Sequence, residues 1–377
     1  MVMARVMESA TIVSAPIDET VYNMDVYSLP LEQFSALQRG LISQYLSATE
    51  RNCPAYGAYV NRGRLRSGSS AEPFRYIPTS MFKVTDLLSA PAAEVEKWCV
   101  SSGTRGRQSR IGRDRTTLER LLGSVRQGLS LIEEWDEESL DVIHLGPSYE
   151  DAGDIWFPYV MSLAELLYAT ESFGRGSKLD ISGAISRYVK LRATGRQVGV
   201  IGPPFAVRAF CEAYRSAGHP QTAGGEVAVV TGGGWKTHEG SSIPRDRFRA
   251  LVASSLGLDD DSRVRDAFNQ VELNTVLLEC ERHRFHIPPW LEVTAIRPES
   301  LEPLHPGEIG LLAYVDASAS SYPCVFIGDD MGNVSEGPCS CGRPGSLLQF
   351  ERRLDRGGDA GCAIALAARF SEGLAHA

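Results

Sequence analysis

A short stretch rich in glycine and hydroxyl groups is the most informative part of this 377-residue sequence. It reads Ser101-Ser102-Gly103-Thr104-Arg105-Gly106-Arg107-Gln108-Ser109. A turn of this composition can direct backbone N–H groups and hydroxyls at phosphate oxygens. It does not have the GxxxxGK[ST] pattern of a Walker A loop. The stretch therefore favours a phosphate-binding loop of another kind, and an ordinary surface loop is the alternative.

Two further segments carry related signals. Ile77-Pro78-Thr79-Ser80-Met81-Phe82-Lys83 precedes the loop, and Val230-Thr231-Gly232-Gly233-Gly234-Trp235-Lys236 follows it. The three glycines of the second segment would let the backbone approach a flat ring closely, although a plain strand-to-loop turn would use them too. Together the segments resemble the adenylate-forming superfamily, which includes acyl-CoA synthetases and peptide-synthetase adenylation domains. The resemblance is closer to the acyl-protein synthetase (LuxE-type) family of bacterial luminescence, and it extends to phenylacetate-CoA-ligase-like enzymes and the phenazine-pathway adenylase.

Short apolar runs alternate with amphipathic stretches, and this pattern predicts an α/β fold with a largely parallel sheet. The predicted strands are Val198–Ile201, Val227–Thr231, Glu292–Ile296, Leu311–Val315 and Cys324–Ile327. The predicted helices are Leu29–Thr49, Thr116–Trp135, 158–173, 205–217 and 245–256.

The resemblance implies the N-terminal adenylation domain of the adenylate-forming (ANL) superfamily with a truncated, β-rich C-terminal portion. We expect residues 1–90 to form a helical N-terminal segment and residues 91–310 to form the α/β adenylation core. Residues 311–377 would form a small β-rich subdomain in place of the family's full C-terminal domain.

Composition excludes several classes of function. The net charge of −9 argues against a broad nucleic-acid-binding surface. No apolar run approaches the roughly 18 residues that span a bilayer, and the N-terminus does not have the apolar core of a signal peptide. We therefore expect a cytoplasmic protein whose eight cysteines stay reduced, so clustered cysteines are candidate metal ligands or nucleophiles.

The resemblance assigns roles around a bound ATP and its Mg²⁺. The phosphate-binding candidates are Ser101, Ser102, Gly103, Thr104 and Gly106, and the adenine-binding candidates are Gly232, Gly233, Gly234 and Phe268. Glu272 matches the magnesium-holding carboxylate, Asp329 matches the aspartate that binds the ribose hydroxyls, and Arg353 would meet ribose or phosphate oxygens. Arg352 is an equal candidate if the register differs by one residue. A tight turn is the alternative for the Gly-Asp-Asp segment that contains Asp329.

The motif that contains Phe268 and Glu272 departs from the family pattern. Asn269 stands where the family has a glycine, and Val271 stands where it has a phosphate-contacting hydroxyl. These departures leave open a catalytically degenerate protein that binds an adenylate or a partner without turning it over.

A second constellation consists of Cys280-x2-His283-x2-His286 and Cys339-x-Cys341. Thiolates and an imidazole in two short clusters suit a four-coordinate zinc ion. By resemblance to phenylacetate-CoA-ligase-like proteins the ligands are Cys280, His286, Cys339 and Cys341, with His283 as the competitor of His286. Such a closed site would be structural, and buried free cysteines beside a solvated histidine are the alternative.

Cys362 matches the position of the cysteine that carries the acyl group in the luminescence synthetase. A thiolate attacks an acyl-adenylate readily because AMP is a good leaving group. The context Asp359-Ala360-Gly361-Cys362-Ala363 departs from the family's, and an inert tail cysteine is the alternative.

Lysine is absent after Lys236. Typical relatives bring a lysine from a C-terminal domain to stabilise the charge that develops during adenylation. We expect arginines or residues near the phosphate loop to supply this charge here, and we expect a protein thiol or a second enzyme to be favoured over coenzyme A as acceptor.

These points predict an enzyme that activates a fatty or aryl acid as an acyl-adenylate, releases pyrophosphate and passes the acyl group to a protein thiol. The thiol would be Cys362 or would belong to a partner acyl reductase or carrier protein, in secondary metabolism. An acyl- or aryl-CoA ligase is the second hypothesis. By analogy, His144–Ser148, Ile201–Phe205, Tyr149, Trp156 and Phe157 border the acyl pocket, unless these aromatics are ordinary core residues.

Overall fold

The computed structural model describes residues 16–67, 75–102, 107–132, 140–176, 178–219, 227–235, 242–337 and 339–353. Its helices are α1 Ile17–Tyr22, α2 Leu31–Asn52, α3 Pro54–Ser67, α4 Arg115–Leu129, α5 Trp156–Ser162, α6 Ile181–Ala193, α7 Pro204–Ser216 and α8 Arg245–Leu256. Short 3₁₀ turns cover Val26–Ser28, Thr79–Lys83, Ala92–Glu94, Leu163–Leu166 and Asp261–Arg263. The strands are β1 Ile77–Pro78, β2 Val95–Val100, β3 Arg110–Asp114, β4 Leu140–Pro147, β5 Ala169–Arg175, β6 Lys178–Leu179, β7 Gln197–Gly202, β8 Val227–Gly232, β9 Val264–Phe268, β10 Leu277–Leu278, β11 Phe285–His286, β12 Leu291–Ile296, β13 Gly310–Asp316, β14 Val325–Ser335 and β15 Leu347–Arg353.

The long amphipathic helices form where periodicity predicts them. Helix α2 buries Phe34, Leu37, Leu41 and Ile42 on one face, and Pro30 immediately precedes its first turn. Helices α7 and α8 match their predicted spans within one residue, and the predicted strands all fall on β7, β8, β12, β13 and β14.

The predicted helix over 158–173 is wrong in its second half. Helix α5 ends at Ser162, and Ala169–Arg175 is strand β5 instead. This strand pairs in parallel with β4, with Thr170 opposite Val142 and Ser172 opposite His144. Backbone pairing with a neighbouring strand decides the conformation of this short segment, and periodicity within the segment cannot reveal that pairing.

One compact unit comprises Gly128–Asn269 and Val276–His283. Its seven-stranded sheet has the order β10-β9-β8-β7-β4-β5-β6, in which β9, β8, β7, β4 and β5 are parallel. The central strands β7 and β8 are buried along nearly their whole length, as expected for parallel strands that helices cover. Helices α6, α7 and α8 pack on the face that presents Ile143, Leu145, Val198 and Val200.

The other unit comprises Met1–Gln127, Gln270–Thr275 and Arg284–Ala377. Its described residues include a sheet of order β11-β15-β14-β13-β12, to which β1 adds by parallel pairing with β14, and the β2–β3 hairpin. Stacked and edge-on rings fill its core, with Tyr314 and Phe326 5.0 Å apart and Phe82 6.3 Å from Phe326. No helix of the described segments is both long and apolar enough to cross a membrane.

Candidate functional site

The carboxyl ends of β8, β7 and β4 form an edge on which several predicted site residues lie. After β4 the chain builds β5 on one side, and it then places β7 and β8 on the other side of β4. The side of the sheet on which successive strands are placed therefore changes between β4 and β7. Open parallel sheets bind ligands outside their carboxyl ends at such a reversal. The predicted pocket segments His144–Ser148 and Ile201–Phe205 lie on the two strands that flank it.

The glycine segment ends β8 at this edge. Gly233 and Gly234 have φ angles of +73° and +64°, in the left-handed region that favours glycine. A Cβ atom at Gly233 would lie 2.5 Å from the ring of Phe157. The segment therefore does bring backbone against a flat ring, and within the protein that ring is Phe157.

Aromatic residues of α5 lie beside the end of β9. Trp156 Nε1 donates a hydrogen bond to Asn269 Oδ1, and the Trp156 ring lies 6.0 Å from the Tyr159 ring. Tyr149 lies 5.7 Å from Tyr159 in turn. Asn269, which stands where the family motif has a glycine, thus accepts a hydrogen bond from a buried tryptophan. Phe268, the predicted adenine-stacking ring, is half-buried in β9.

An acidic residue that the sequence analysis did not single out also lies at this edge. Asp266 of β9 accepts a hydrogen bond from Thr231 Oγ1 at 3.1 Å and pairs with Arg245 Nη2 at 2.9 Å. Burial raises the pKa of Asp266 to about 6, while the Arg245 charge opposes the shift. Its position two residues before Phe268, the predicted adenine-stacking ring, was the available signal in the sequence.

The described ends of the phosphate-loop candidate form the base of the β2–β3 hairpin. Ser101 N donates to Ser109 O at 3.1 Å, and Ser109 N donates to Ser101 Oγ at 3.0 Å. Ser102 is exposed next to this closed base. Gly103, Thr104 and Gly106 lie outside the described residues, so their predicted roles rest on the sequence.

The segment that carries Glu272 is fixed by a buried arginine. Arg113 is fully buried and donates from Nη2 to Val271 O at 2.7 Å and from Nε to Asn274 Oδ1 at 3.2 Å. Glu272 O accepts from the Tyr322 hydroxyl at 3.2 Å, and Glu272 as a whole is 6% exposed. Sequence reasoning missed Arg113 because its partners lie more than 150 residues away.

Asp329 lies half-buried on β14, one residue after Gly328. The next residue, Asp330, pairs with Arg353 in the register of β14 and β15. The backbone therefore brings the Gly-Asp-Asp segment beside the predicted arginine position on the neighbouring strand. The side chains of residues 352 and 353 are outside the described part of the chain.

The structure brings the four predicted metal ligands together. The ligand atoms of Cys280, His286, Cys339 and Cys341 all lie within 4.8 Å of one another. His286 Nε2 lies 3.2 Å from Cys341 Sγ, and Nδ1 of the same ring lies 3.4 Å from Pro344 O. Metal-bound histidines usually donate the N–H of their other ring nitrogen to a carbonyl, a carboxylate or water. The carbonyl beside Nδ1 can accept such a bond, which leaves the Nε2 lone pair for a metal ion.

His283 is placed elsewhere. Its Nδ1 lies 3.5 Å from Glu279 Oε2 and its Nε2 lies 3.5 Å from Asp261 Oδ1. Both ring nitrogens of His283 thus lie beside carboxylates, whereas His286 lies beside the cysteines. Cys362, the predicted acyl carrier, is outside the described residues.

Comparison with solved structures defines the class of fold. A 2-hydroxyisobutyryl-CoA ligase in the postadenylation state with R3-HIB-AMP matches 90% of this chain and 72% of its own, with a TM-score of 0.66 at 12% identity. An open conformation of that ligase with 2-HIB-AMP and CoA covers 90% of this chain and 80% of its own, with a TM-score of 0.64 at 14% identity. The fold is that of the adenylate-forming ligases.

Sequence comparison narrows the class to one family. The profile of the "Acyl-protein synthetase, LuxE" family matches residues 1–371. The long-chain-fatty-acid–luciferin-component ligase of Aliivibrio fischeri is 36% identical over 357 residues, 94% of either chain, and that of Vibrio harveyi is 35% identical over 373 residues, 98% of either chain. This chain belongs to the LuxE acyl-protein synthetase family. It is a ligase that activates a carboxylic acid through an acyl-adenylate and transfers the acyl group to a protein thiol.

Proposed function

We propose that the acid is a fatty acid, that Mg²⁺-bound ATP supplies the adenylyl group, and that the acyl group reaches the thiol of a partner acyl reductase or carrier protein. The observation that carries this proposal is the identity, along nearly the whole chain, to ligases named for a long-chain fatty acid and a luciferin component. Apolar and aromatic side chains beside the carboxyl edge, such as Tyr159 and Trp156, suit an aliphatic acid better than a charged one. We place the reaction in the cytoplasm.

Most of the proposed site residues contact the nucleotide, and one of them holds the metal ion. Gly232–Gly234 and Phe268 border the adenine, Ser101 and Ser102 begin the phosphate loop, and Asp329 holds the ribose hydroxyls. Glu272 is the carboxylate that would hold Mg²⁺, which neutralises phosphate charge when it is bound. Arg353 adds positive charge near ribose or phosphate. Because an acid attacks the α-phosphate in line, these residues chiefly orient the two reactants and neutralise charge.

Pyrophosphate exchange tests this proposal directly. The chain, ATP, labelled pyrophosphate and Mg²⁺ are incubated with a panel of short, medium and long saturated acids and of aryl acids. We expect exchange that depends on fatty acid and does not require coenzyme A. Exchange only with aryl acids would overturn the substrate assignment, and none with any acid would favour the degenerate adenylate-binding alternative.

Cys362 is proposed as the intermediate carrier of the acyl group. Labelled fatty acid and ATP should then give a hydroxylamine-sensitive adduct on the unaltered chain, because thioesters are cleaved by this nucleophile. Cys362→Ser should abolish the adduct, and Ala363→Ser in the same tail should leave it unchanged. An equal adduct on Cys362→Ser would show that the acyl group does not pass through this residue.

A structural zinc ion is proposed at Cys280, His286, Cys339 and Cys341. The donor set is three thiolates and one imidazole, and the Arg282 backbone N–H lies 3.4 Å from Cys280 Sγ, which suits a charged sulfur. Elemental analysis of chelator-free protein should give one zinc per chain. Cys339→Ser should lower this content and the melting temperature, whereas His283→Gln should keep the zinc; a metal-free native chain would contradict the site.

A further inference from the structure

His144 is a buried imidazole in the carboxyl-terminal half of β4. Only 1% of the residue is exposed, and it lies opposite Ser172 of β5 and Ile201 of β7. Its neighbours Ile143 and Leu145 pack into the core under α6, α7 and α8. Because alternate strand residues point to opposite faces, His144 points to the other face of the sheet.

A chain of hydrogen bonds fixes the tautomer of this imidazole. Ser172 Oγ donates its single proton to Glu165 Oε1, and His144 Nδ1 lies 3.0 Å from the same Ser172 Oγ. Since the hydroxyl proton is directed at the carboxylate, Nδ1 must be the donor in its bond with Ser172. Nε2 is then unprotonated and can only accept. The backbone N–H of Tyr149 donates to Glu165 Oε2 at 2.9 Å and holds the far end of the chain.

The packing around the ring holds it in this orientation. A Cβ atom at Gly146 would lie 2.5 Å from His144 Nε2 and 3.0 Å from Cε1. The imidazole can occupy this position only because residue 146 has no side chain. Burial also lowers the pKa of His144 to about 4, so the ring is neutral at physiological pH.

We propose that His144 Nε2 accepts the proton of the acceptor thiol when the acyl group is transferred, and that Ser172 and Glu165 are positioning residues that hold the required tautomer. The inference rests on the acyl transfer proposed above and assigns a base to its second half-reaction. The thiol sulfur bonds to the acyl carbon, the bond between that carbon and the phosphate oxygen breaks, and AMP leaves with the electron pair. The thiol proton passes to Nε2 and then to solvent.

Because Nε2 can only accept a proton, its partner in the reaction must be a group that has a proton to donate. Among the reactants, the thiol meets this requirement. A fatty-acid carboxylate has no proton to donate and would be repelled by the Nε2 lone pair. The proposed adenine position at the end of β8 is two strands away from β4, which is roughly 10 Å at ordinary strand spacing. The incoming thiol is the remaining group that has a proton to lose. The Glu165 carboxylate, acting through Ser172, stabilises the imidazolium as it forms, in the manner of the third member of a catalytic triad.

Nuclear magnetic resonance tests the tautomer without any assay of activity. Long-range ¹H–¹⁵N spectra of ¹⁵N-histidine-labelled protein, with His144 assigned by its loss in His144→Gln, should show Nδ1–H and a bare Nε2. Glu165→Gln should release this preference, because an amide N–H can reverse the direction of the bond to Ser172. The matched control Glu212→Gln, at an exposed residue of α7, should change nothing. An Nε2–H tautomer in the unaltered chain would overturn the proposal.

The two half-reactions provide the kinetic test. Pyrophosphate exchange measures adenylation, and single-turnover thioester formation with N-acetylcysteamine as the probe thiol measures transfer. The ratio of transfer rate to exchange rate should fall about 100-fold or more in His144→Gln, as expected for the loss of a general base. Ser172→Ala should lower the same ratio, Ser172→Thr should restore most of it by keeping the hydroxyl, and the exposed control Ser186→Ala should have no effect.

The outcomes separate this inference from the proposed function. Equal falls of both rates in His144→Gln would indicate a merely structural role and overturn the inference while adenylation stands. An unchanged ratio would do the same. Absence of exchange in the unaltered chain would remove the proposed function and the inference with it, whatever the tautomer.

Discussion

At the scale of single residues, the buried imidazole of His144 makes the free energy of unfolding depend on pH. Its folded pKa of about 4 lies below the ordinary value of 6.5, so the unfolded chain binds more protons between these two values. Stability from this residue is therefore full above about pH 6.5 and is lost as pH falls towards 4. The loss would be about 3 kcal/mol at most.

His144→Gln should consequently flatten the acid side of the stability curve. Urea unfolding at pH 7 and at pH 4.5 gives the change in unfolding free energy for each protein, and the unaltered chain should lose more of it than the variant. Asp266, whose raised pKa acts in the opposite direction, is present in both proteins and cancels in this comparison. If the two proteins lose the same unfolding free energy between the two pH values, the imidazole is not buried as described.

Two adjacent glycines provide a second prediction at this scale. Gly233→Ala places a Cβ 2.5 Å from the Phe157 ring and also strains a positive φ, whereas Gly234→Ala strains φ with no atom within 4 Å. We expect a loss of about 1 kcal/mol for Gly234→Ala and about 2 to 4 kcal/mol for Gly233→Ala. Thermal unfolding measures the difference, and Phe157→Ala in the Gly233→Ala background should recover part of it. Equal losses for the two alanines would contradict the contact with Phe157.

At the scale of elements, Arg113 of β3 connects the hairpin to the segment that carries Glu272. Arg113→Met keeps the length of the side chain but removes the donors to Val271 O and Asn274 Oδ1. Leaving buried acceptors without donors should cost about 3 kcal/mol. Arg113→Lys retains a charge and some donors, so it should lose less.

Two measurements check this prediction about Arg113. Urea unfolding should rank the proteins as unaltered chain, Arg113→Lys and then Arg113→Met. The Mg²⁺ concentration for half-maximal exchange should rise in the same order, because the Glu272 segment becomes less well held. A fully stable Arg113→Met protein would show that the segment does not depend on this residue.

The elements also show what a sequence can and cannot predict. Helix α2 and strand β8 follow from periodicity because their apolar residues recur along the chain itself. Strand β5 was missed because its conformation depends on pairing with β4. Likewise spacing alone admits both His283 and His286 as metal ligands, and only the fold places one beside the cysteines and the other beside Glu279 and Asp261.

At the scale of the whole molecule, two discontinuous units come from one chain, and each has its own sheet. Motifs such as Gly232–Gly234 indicate the class of chemistry because they are local. The buried contacts of Arg113 and Asp266 join distant segments, and no single stretch of sequence records them. The predicted three-part division at residues 90 and 310 follows chain order and stays a prediction.

Transfer of the acyl group to a protein thiol can be followed in a single-turnover reaction with labelled long-chain fatty acid, ATP and Mg²⁺ in the absence of coenzyme A. Rapid quenching should show an acyl-adenylate first, followed by a hydroxylamine-sensitive acyl group on protein, with one AMP released for each thioester formed. An adenylate that persists unchanged until coenzyme A is added, and that never labels protein, would contradict transfer to a protein thiol and identify a CoA ligase instead.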